Sequence, residues 1–318
     1  MGGANGKCCE GSCLDRSRPK ESIAVEAASG GGYEPQPIVN SNTRDFDKMP
    51  TMMSGPISRQ EVPAAGGISE RGGTGADAAD GEGWARDDGC RCVGDPMGSQ
   101  GVIKFGDGSE YSGQWNRGYA EGEGTLMRSD GSKYEGQFER DVPHGNGTEV
   151  YPDGSVYRGE FIDGAKEGHG VFEWTNGTRY EGQFQKNAFH GYGRYDWNDG
   201  RKFRGQWADN KFQGYGRMTW VDGRKYEGFY VNDRKSGLGT FEWGDGRKHT
   251  GNWLEGKQHG KGIFTTSNGF ARAGVWERGQ RTEWTSKAVA EADIDEIKEP
   301  EIFPSPPPEM PKDFFAPE

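Results

Sequence analysis

The residues best suited to chemical modification lie at the start of this sequence. Gly2 follows the first methionine, and three cysteines come soon after it: Cys8, Cys9 and Cys13. A glycine exposed by methionine removal accepts myristate, and neighbouring cysteines accept palmitate. One myristoyl chain binds a membrane only marginally, so stable attachment needs a second chain on a cysteine. We expect dual acylation, with an unmodified terminus as the alternative, because Gly6 stands where such sites favour Ser or Thr.

Basic pairs follow three successive turns and form a second candidate site. They are Arg201 and Lys202, Arg224 and Lys225, and Arg247 and Lys248. Near an anionic surface, each such contact with a phosphoinositide headgroup contributes on the order of 1 kcal/mol. Glu135, Glu181 and Glu227 lie two or three residues from matching basic positions, so cross-strand ion pairs explain the stripe more simply. Phospholipid contact is the alternative role.

Metal or catalytic chemistry has little support. His144, His190 and His259 recur at one position of a repeat, too far apart in the chain to indicate a metal cluster. Cys90 and Cys92 lack CxxC spacing and a second pair. The sequence contains no phosphate-binding loop, HExxH motif, nucleophile elbow or kinase catalytic loop. We therefore expect no enzyme activity, no cofactor and no metal.

Aromatic residues recur every 23 residues, just before Asp-Gly or Asn-Gly turns, and we call the following set the aromatic ladder: Tyr151, Trp174, Trp197, Trp220 and Trp243. Most of their atoms are expected to fill a core. A contiguous apolar strip of several hundred Å² nevertheless usually marks an interaction surface. An amphipathic helix laid along the strip is the natural partner. Self-association into a homodimer is a further option.

Composition limits the elements that can position these residues. Glycine numbers 55 among 318 residues, and hydrophobic residues make up only 31%. So few apolar side chains predict a thin fold whose aromatic rings supply most of the buried surface. The net charge of −11 lies outside residues 98–284, where acidic and basic residues are equal in number. This balance lacks the single-sign field of a nucleic-acid binder, so we expect no nucleic-acid partner.

A strict 23-residue period runs through the middle of the chain. Its clearest marker is one recurring glycine: Gly113, Gly136, Gly159, Gly182, Gly205, Gly228 and Gly251. An aromatic residue stands two positions after each of these glycines. A fixed period of this length is typical of a repeat array, in which stacked copies of one supersecondary unit share a core.

Each unit is predicted to be a β-hairpin, as the unit 180–202 illustrates. Apolar residues and glycines alternate with polar residues at period two, and no helical period competes. Asp199 and Gly200 form one turn dipeptide that tolerates positive φ, and residues 185–190 form the other loop. The rings and glycines share one face, where an aromatic from one unit lies over the bare backbone of the next. The other face is polar and carries charges of alternating sign.

The pattern Tyr-x-Gly-x-Phe/Trp, then Gly-x-Gly, then Asp-Gly resembles the MORN repeat (membrane occupation and recognition nexus). Seven full units begin at Tyr111, and half units stand at both ends. The resemblance implies an all-β fold: an elongated, single-layer antiparallel ribbon of stacked hairpins that scaffolds other proteins. Family members occur beside membranes and the cytoskeleton, and some bind a helix in an aromatic-lined groove or self-associate. The Tyr is replaced by His249 in the last full unit.

We divide the chain into residues 1–96, a Gly-rich disordered tether, 97–284, the array, and 285–318, an acidic Pro-rich tail. Ser286 is a plausible N-cap for a short helix whose Val289, Ile294 and Ile297 would cap the last hairpin. The expected function is a non-catalytic scaffold at the cytoplasmic face of a membrane. The alternatives are a soluble cytoskeletal or axonemal subunit and a regulatory, phosphoinositide-binding subunit of a lipid kinase.

Overall fold

Strands dominate the computed structural model, which describes residues 83–85, 91–94 and 100–297. In the described residues these strands are β1 (Gly83–Ala85), β2 (Arg91–Gly94), β3 (Gln100–Lys104), β4 (Glu110–Asn116), β5 (Tyr119–Met127), β6 (Lys133–Glu139), β7 (Val142–Val150), β8 (Val156–Ile162), β9 (Ala165–Glu173), β10 (Arg179–Gln185), β11 (Ala188–Asp196), β12 (Lys202–Ala208), β13 (Lys211–Thr219), β14 (Lys225–Val231), β15 (Arg234–Glu242), β16 (Lys248–Leu254), β17 (Lys257–Thr265), β18 (Phe270–Glu277), β19 (Gln280–Trp284) and β20 (Val289–Ala290). A 3-10 helix, Glu291–Glu296, follows β20.

All described strands belong to one open antiparallel sheet. From β1 to β19 each strand pairs with its neighbours in the chain, and β20 pairs with β18 beside β19. The prediction of an all-β sheet of stacked hairpins is confirmed. The sheet reaches further toward the N-terminus than residue 97, because Gly94 of β2 pairs with Gly101 of β3 and continues the half unit. Strands β1 and β2 thus lie in the range assigned to a disordered tether.

The two turns of each unit differ from the prediction in length. Lys186 and Asn187 alone join β10 to β11, with φ of 48° and 68°, so most of the predicted loop 185–190 is strand. Two successive residues at positive φ match the right-handed twist of the flanking strands. The Asp-Gly dipeptide instead lies in a five-residue loop, 197–201, where only Gly200 has positive φ, at 85°. Both loops contain Gly, Asp or Asn, so composition alone could not tell the shorter from the longer.

A β-bulge interrupts the hairpin of each of the seven full units, next to its paired glycines. In the unit 180–202 the register moves from Gly182 opposite Gly193 to Gln183 opposite His190. The Gln183 Oε1 atom accepts a hydrogen bond of 2.8 Å from the backbone N–H of Tyr192, inside the bulge. We call this contact the bulge latch. It recurs at the matching position of the four neighbouring units, with Gln or Glu as the acceptor: Gln114, Gln137, Glu160 and Gln206.

Tyrosine rings on the inner face cover the paired glycines, as the alternation predicts. A Cβ on Gly193 would lie 2.4 Å from the Tyr180 hydroxyl oxygen, which explains why glycine is required there. The same hydroxyl donates a 2.8 Å hydrogen bond to the carbonyl oxygen of Gln183. This tyrosine covers glycines of its own unit, which the prediction did not include. Rings also reach the adjacent unit, as predicted: Trp115 lies 3.1 Å from the position of a Cβ on Gly101. Trp207 donates to the Gly193 carbonyl at 3.2 Å and packs on Tyr180 with centroids 5.5 Å apart.

The segment after β19 caps the last hairpins without forming the predicted α-helix. Ser286 is not an N-cap, since its hydroxyl accepts from the N–H of Ala273 and donates to the Lys287 carbonyl. Within the described range the helical part is the 3-10 helix, whose N-cap residue Ala290 makes no side-chain cap bond. The capping role itself is confirmed, because the three predicted apolar residues pack on the last hairpins: Val289, Ile294 and Ile297.

Candidate functional site

The aromatic ladder lies where the second strand of each unit ends and its five-residue loop begins. Trp197 is buried at 7% exposure, whereas the other four rings are partly exposed and pack against the core. Each ladder ring contacts at least one inner-face ring. Tyr195, for example, lies between two of them, with its centroid 4.5 Å from that of Trp197 and 5.4 Å from that of Trp174. One side of the ladder therefore packs on the core, and the other lies at this margin of the sheet, where every ring except Trp197 keeps part of its surface exposed.

Arginines of the predicted basic stripe face the ladder itself. The Arg224 guanidinium lies 5.5 Å from the Trp220 ring centroid, and its Nε is 2.7 Å from Asp222 Oδ2. The hydrogen bond from this arginine holds the pKa of the Asp222 carboxyl below its ordinary value. Arg201 and Arg247 repeat this geometry with the tryptophan and aspartate of their own units. These contacts favour a role for the arginines in fixing the loops and the ladder rings.

The lysines of the same stripe extend from the opposite face. Lys202, Lys225 and Lys248 each precede an inner-face ring and so point away from the ladder side. Lys248 Nζ lies 3.0 Å from the Glu291 carboxylate of the 3-10 helix, and this hydrogen bond raises the pKa of the lysine. The six residues predicted to contact phospholipid are therefore divided between two surfaces.

A buried charged cluster interrupts the aromatic core at one end of the ladder. Glu149 and Lys166, at 9% and 3% side-chain exposure, form an ion pair of 2.5 Å. Arg128 binds the other Glu149 oxygen at 2.9 Å, and the Tyr151 hydroxyl donates to the carboxylate at 2.6 Å. Burial opposes the charge of Glu149, but Lys166 and these hydrogen bonds outweigh it and hold its pKa below the ordinary value.

Sequence reasoning missed this cluster, although the repeat carries a signal for it. Glu149 stands 23 residues before Phe172, at an inner-face position, and Arg128 stands 23 residues before Tyr151 of the ladder. Charged residues at core positions of a repeat are unusual unless they are paired. Alignment of the units by position would have identified both, and with them the need for a partner such as Lys166.

The remaining predicted sites divide between described and undescribed parts of the chain. His144 lies 3.5 Å from Glu139, and in the described residues no group of His, Cys, Asp and Glu is arranged to hold a metal ion. No helix among these residues is long and apolar enough to span a membrane. The predicted acylation sites fall outside the described residues: Gly2, Cys8, Cys9 and Cys13.

The period, the glycines under tyrosine rings and the paired turns together define the unit, and a family comparison agrees with it. The MORN repeat model matches seven consecutive segments: 111–133, 134–156, 157–179, 180–200, 203–223, 226–246 and 249–270. The chain belongs to the MORN repeat family. MORN repeats are typically non-catalytic scaffolds and generally act as protein-interaction modules.

Solved structures with some likeness to this MORN protein are remote. The wild-type TCP10 domain of Danio rerio CPAP is similar over 65% of this chain and 100% of that domain, at 11% identity and a TM-score of 0.37. The SAS-4 TCP domain of Drosophila melanogaster, solved with a proline-rich motif of Ana2, is similar over 57% of this chain and 97% of that one, at 11% identity and a TM-score of 0.31. Likeness at this level supports no argument about function. No match was found among curated proteins.

Proposed function

We propose that this MORN protein is a membrane-anchored scaffold that holds an amphipathic helix of a partner protein along the aromatic ladder. The observation that carries the proposal is the row of ladder rings that remain partly exposed beside a buried core: Tyr151, Trp174, Trp220 and Trp243. Aromatic rings that are already fixed by packing lose little entropy when a ligand covers the part of each ring that remains exposed.

The spacing of the ladder suits a helix. One ring recurs for every two strands, which is about 9.6 Å at the usual strand separation. A helix rises about 1.5 Å per residue, so one ring corresponds to between six and seven helical residues. Apolar anchors that recur nearly every seven residues along one helical face would therefore meet successive rings. The charged cluster of Arg128, Glu149 and Lys166 ends the apolar part of the ladder, so the two ends of this surface differ in polarity.

Replacing Trp220 and Trp243 together by Leu tests this surface. Quantitative capture from the native cell should lose the partner, while circular dichroism shows that the sheet remains folded. Val221→Ser is the matched control, because Val221 is 75% exposed and adjoins Trp220 but lies outside the ladder. Capture that is equal for the double variant and the control would refute a role for the ladder. Ultracentrifugation of the same variants shows whether the protein that occupies the ladder is a second copy.

Membrane anchoring by Gly2 and a palmitoylated cysteine is the second part of the proposal. Gly2→Ala should move the protein from the membrane fraction to the supernatant, because both acyl chains depend on initial membrane contact through myristate. Replacing Cys8, Cys9 and Cys13 by Ser should weaken partition but leave the myristate detectable by intact mass. Unchanged partition of the Gly2 variant would favour the cytoskeletal alternative. Recovery of lipid kinase activity with the captured partner would favour the regulatory-subunit alternative.

A further inference from the structure

The outer face of the later units is not wholly polar, in contrast to the alternation predicted from the sequence. Tyr192, Tyr215 and Leu238 occupy one outer position of three successive units, where Glu123 and Asn146 stand in earlier units. Phe229 lies opposite Tyr215 in the register, and their rings meet edge to face at 5.3 Å. Val231 and Leu254 add exposed apolar side chains at the margin. Tyr215 is itself buried, at 5% exposure, and supports Phe229 from within the sheet. We call the following set the outer patch: Tyr192, Phe229, Val231, Leu238 and Leu254, with Tyr215 as its buried support.

Phe229 is the most informative member, because it replaces a bulge-latch residue. In the preceding unit the Gln206 Oε1 atom accepts a 2.8 Å hydrogen bond from the Tyr215 N–H. In the unit of Phe229 the side chain opposite the bulge has no amide, and its Cβ lies 3.8 Å from the Cβ position of Gly237. This unit therefore gives up a local hydrogen bond that five units use, and presents a ring on the outer face instead. The packing of the ring on Tyr215 offsets the lost hydrogen bond within the sheet, and the rest of the Phe229 ring stays partly exposed on the outer face.

The segment after β19 already covers the part of the outer face that adjoins the outer patch. Ile263 and Ala273 lie opposite each other in the register of β17 and β18 and alternate with inner-face residues, which places them on the outer face. Ile297 is buried against them, and the 3-10 helix before it is joined to Lys248 through Glu291. Residues 298–318 therefore continue from a point on the outer face, about three strand spacings from the outer patch, or roughly 14 Å.

We propose that residues 298–318 extend this cover and dock on the outer patch, with Ile302 and Phe303 against Phe229 and Leu238. Prolines are frequent in the segment and favour polyproline II, at about 3.1 Å per residue. Ile302 and Phe303 follow Ile297 by five and six residues, a reach of about 16 to 19 Å, which spans the required distance.

Charge complements the apolar match. The segment is acidic overall, with five acidic residues, Glu299, Glu301, Glu309, Asp313 and Glu318, against two lysines, Lys298 and Lys312. Lys225 and Lys202 continue the outer-face row of Lys248, which already binds Glu291 of the capping segment. An acidic chain that leaves this ion pair toward Phe229 reaches β14, the strand that carries Lys225, and Lys202 lies two strands further on. The inner ladder stays open in this arrangement, so the inference is independent of the function proposed for it.

Photo-cross-linking in the full chain tests the docking. Phe303 is replaced by p-benzoylphenylalanine, which retains the ring, and the irradiated protein is digested and analysed by mass spectrometry. We expect an intrachain cross-link to the peptide that contains Phe229 and Leu238. Phe229→Gln restores the latch residue of the other units and should reduce the yield about tenfold, since the ring contributes most of the apolar contact. Val221→Gln, exposed but distant from the outer patch, should leave the yield unchanged.

A mixture of unlabelled and heavy-isotope-labelled chains separates the competing occupants. Cross-links confined to chains of equal label support docking of the chain on itself. Mixed-label cross-links would show that a second copy occupies the outer patch and would overturn the proposal. Cross-links only to the inner ladder, an equal yield in the Phe229→Gln variant, or no cross-link to the sheet would overturn it as well.

Discussion

His249 makes the stability of the last full repeat depend on pH. It occupies the position that holds tyrosine or phenylalanine in the other full units, and it is fully buried, at 0% exposure. Its ring lies between those of Trp253 and Trp276, with centroids 5.4 and 4.6 Å away, and in the described residues neither ring nitrogen has a hydrogen-bond partner. Burial, with a smaller contribution from the charge of Lys235, lowers the pKa of His249 to about 3.

The sign of the pH effect follows from proton linkage. An unfolded histidine titrates near 6.5, so between pH 6.5 and 3 the unfolded chain binds a proton that folded His249 excludes. The free energy of unfolding is therefore unaffected above pH 6.5 and falls as the pH drops below it. At pH 5.0 the loss is about 2 kcal/mol, from 1.36 kcal/mol per unit of pKa difference. The two unpaired nitrogens add a cost of about 1–3 kcal/mol at every pH.

His249→Phe tests both terms, because Phe203 already fills the same position of another unit. The variant should be more stable than the parent by about 1–3 kcal/mol at pH 7.5, and by roughly 2 kcal/mol more at pH 5.0. Urea unfolding at the two pH values measures the difference, and hydrogen exchange of β16 and β17 shows whether it is local, as expected for a repeat array. The control is the same substitution at an exposed histidine, His169→Phe. Equal loss of stability on acidification in parent and variant would refute the reasoning.

Three further predictions concern the sheet and are measured by the same unfolding assay. Lys166→Met leaves the buried Glu149 charge without its closest partner and should cost about 3–5 kcal/mol, whereas the triple change with Glu149→Leu and Arg128→Met removes all three charges and should recover most of that loss. A triple variant as unstable as the single one would contradict this. Gln206→Ala removes one bulge latch and should cost about 1 kcal/mol, and no loss would show that solvent replaces the bond. Gly193→Ala places a Cβ against the Tyr180 hydroxyl and should cost about 2–3 kcal/mol, so a stable variant would argue against the close ring contact.

Most of the fold could be predicted from the sequence because seven full units repeat the same pattern of residues. Gly182 and Tyr180 share a face by simple alternation, and their partners recur in every unit, so the inner face could be predicted. Turn lengths could not, because Asn187 and Gly200 are both ordinary turn residues and only the strand register separates a two-residue turn from a five-residue loop. The bulge latch was equally hidden, since Gln183 reads as a polar outer residue until the bulge brings an N–H to its side chain.

The candidate sites were harder to predict because they lie where units differ. Trp220 and Trp243 were recognised because they recur with the same 23-residue period as the repeat units themselves. The partners of Arg224, by contrast, depend on how the five-residue loop turns back onto the ladder ring. Sequence spacing identifies the equivalent residues of different units. It does not identify the partners of their side chains, because these depend on the conformation of each loop.

Residues that depart from the repeat consensus are therefore the best targets for functional tests, because neighbouring units show which other side chains fit the same backbone position. Gln206 demonstrates that a latch residue fits at the position of Phe229. Phe229→Gln should gain a hydrogen bond of about 1 kcal/mol and lose ring packing on Tyr215 of about 0.5–1.5 kcal/mol, so its stability should hardly change. A variant that is equally stable yet loses the contact with residues 298–318 would separate the outer patch from the fold. If Phe229→Gln were instead strongly destabilising, the ring would be part of the core and its place on the outer face would need no partner.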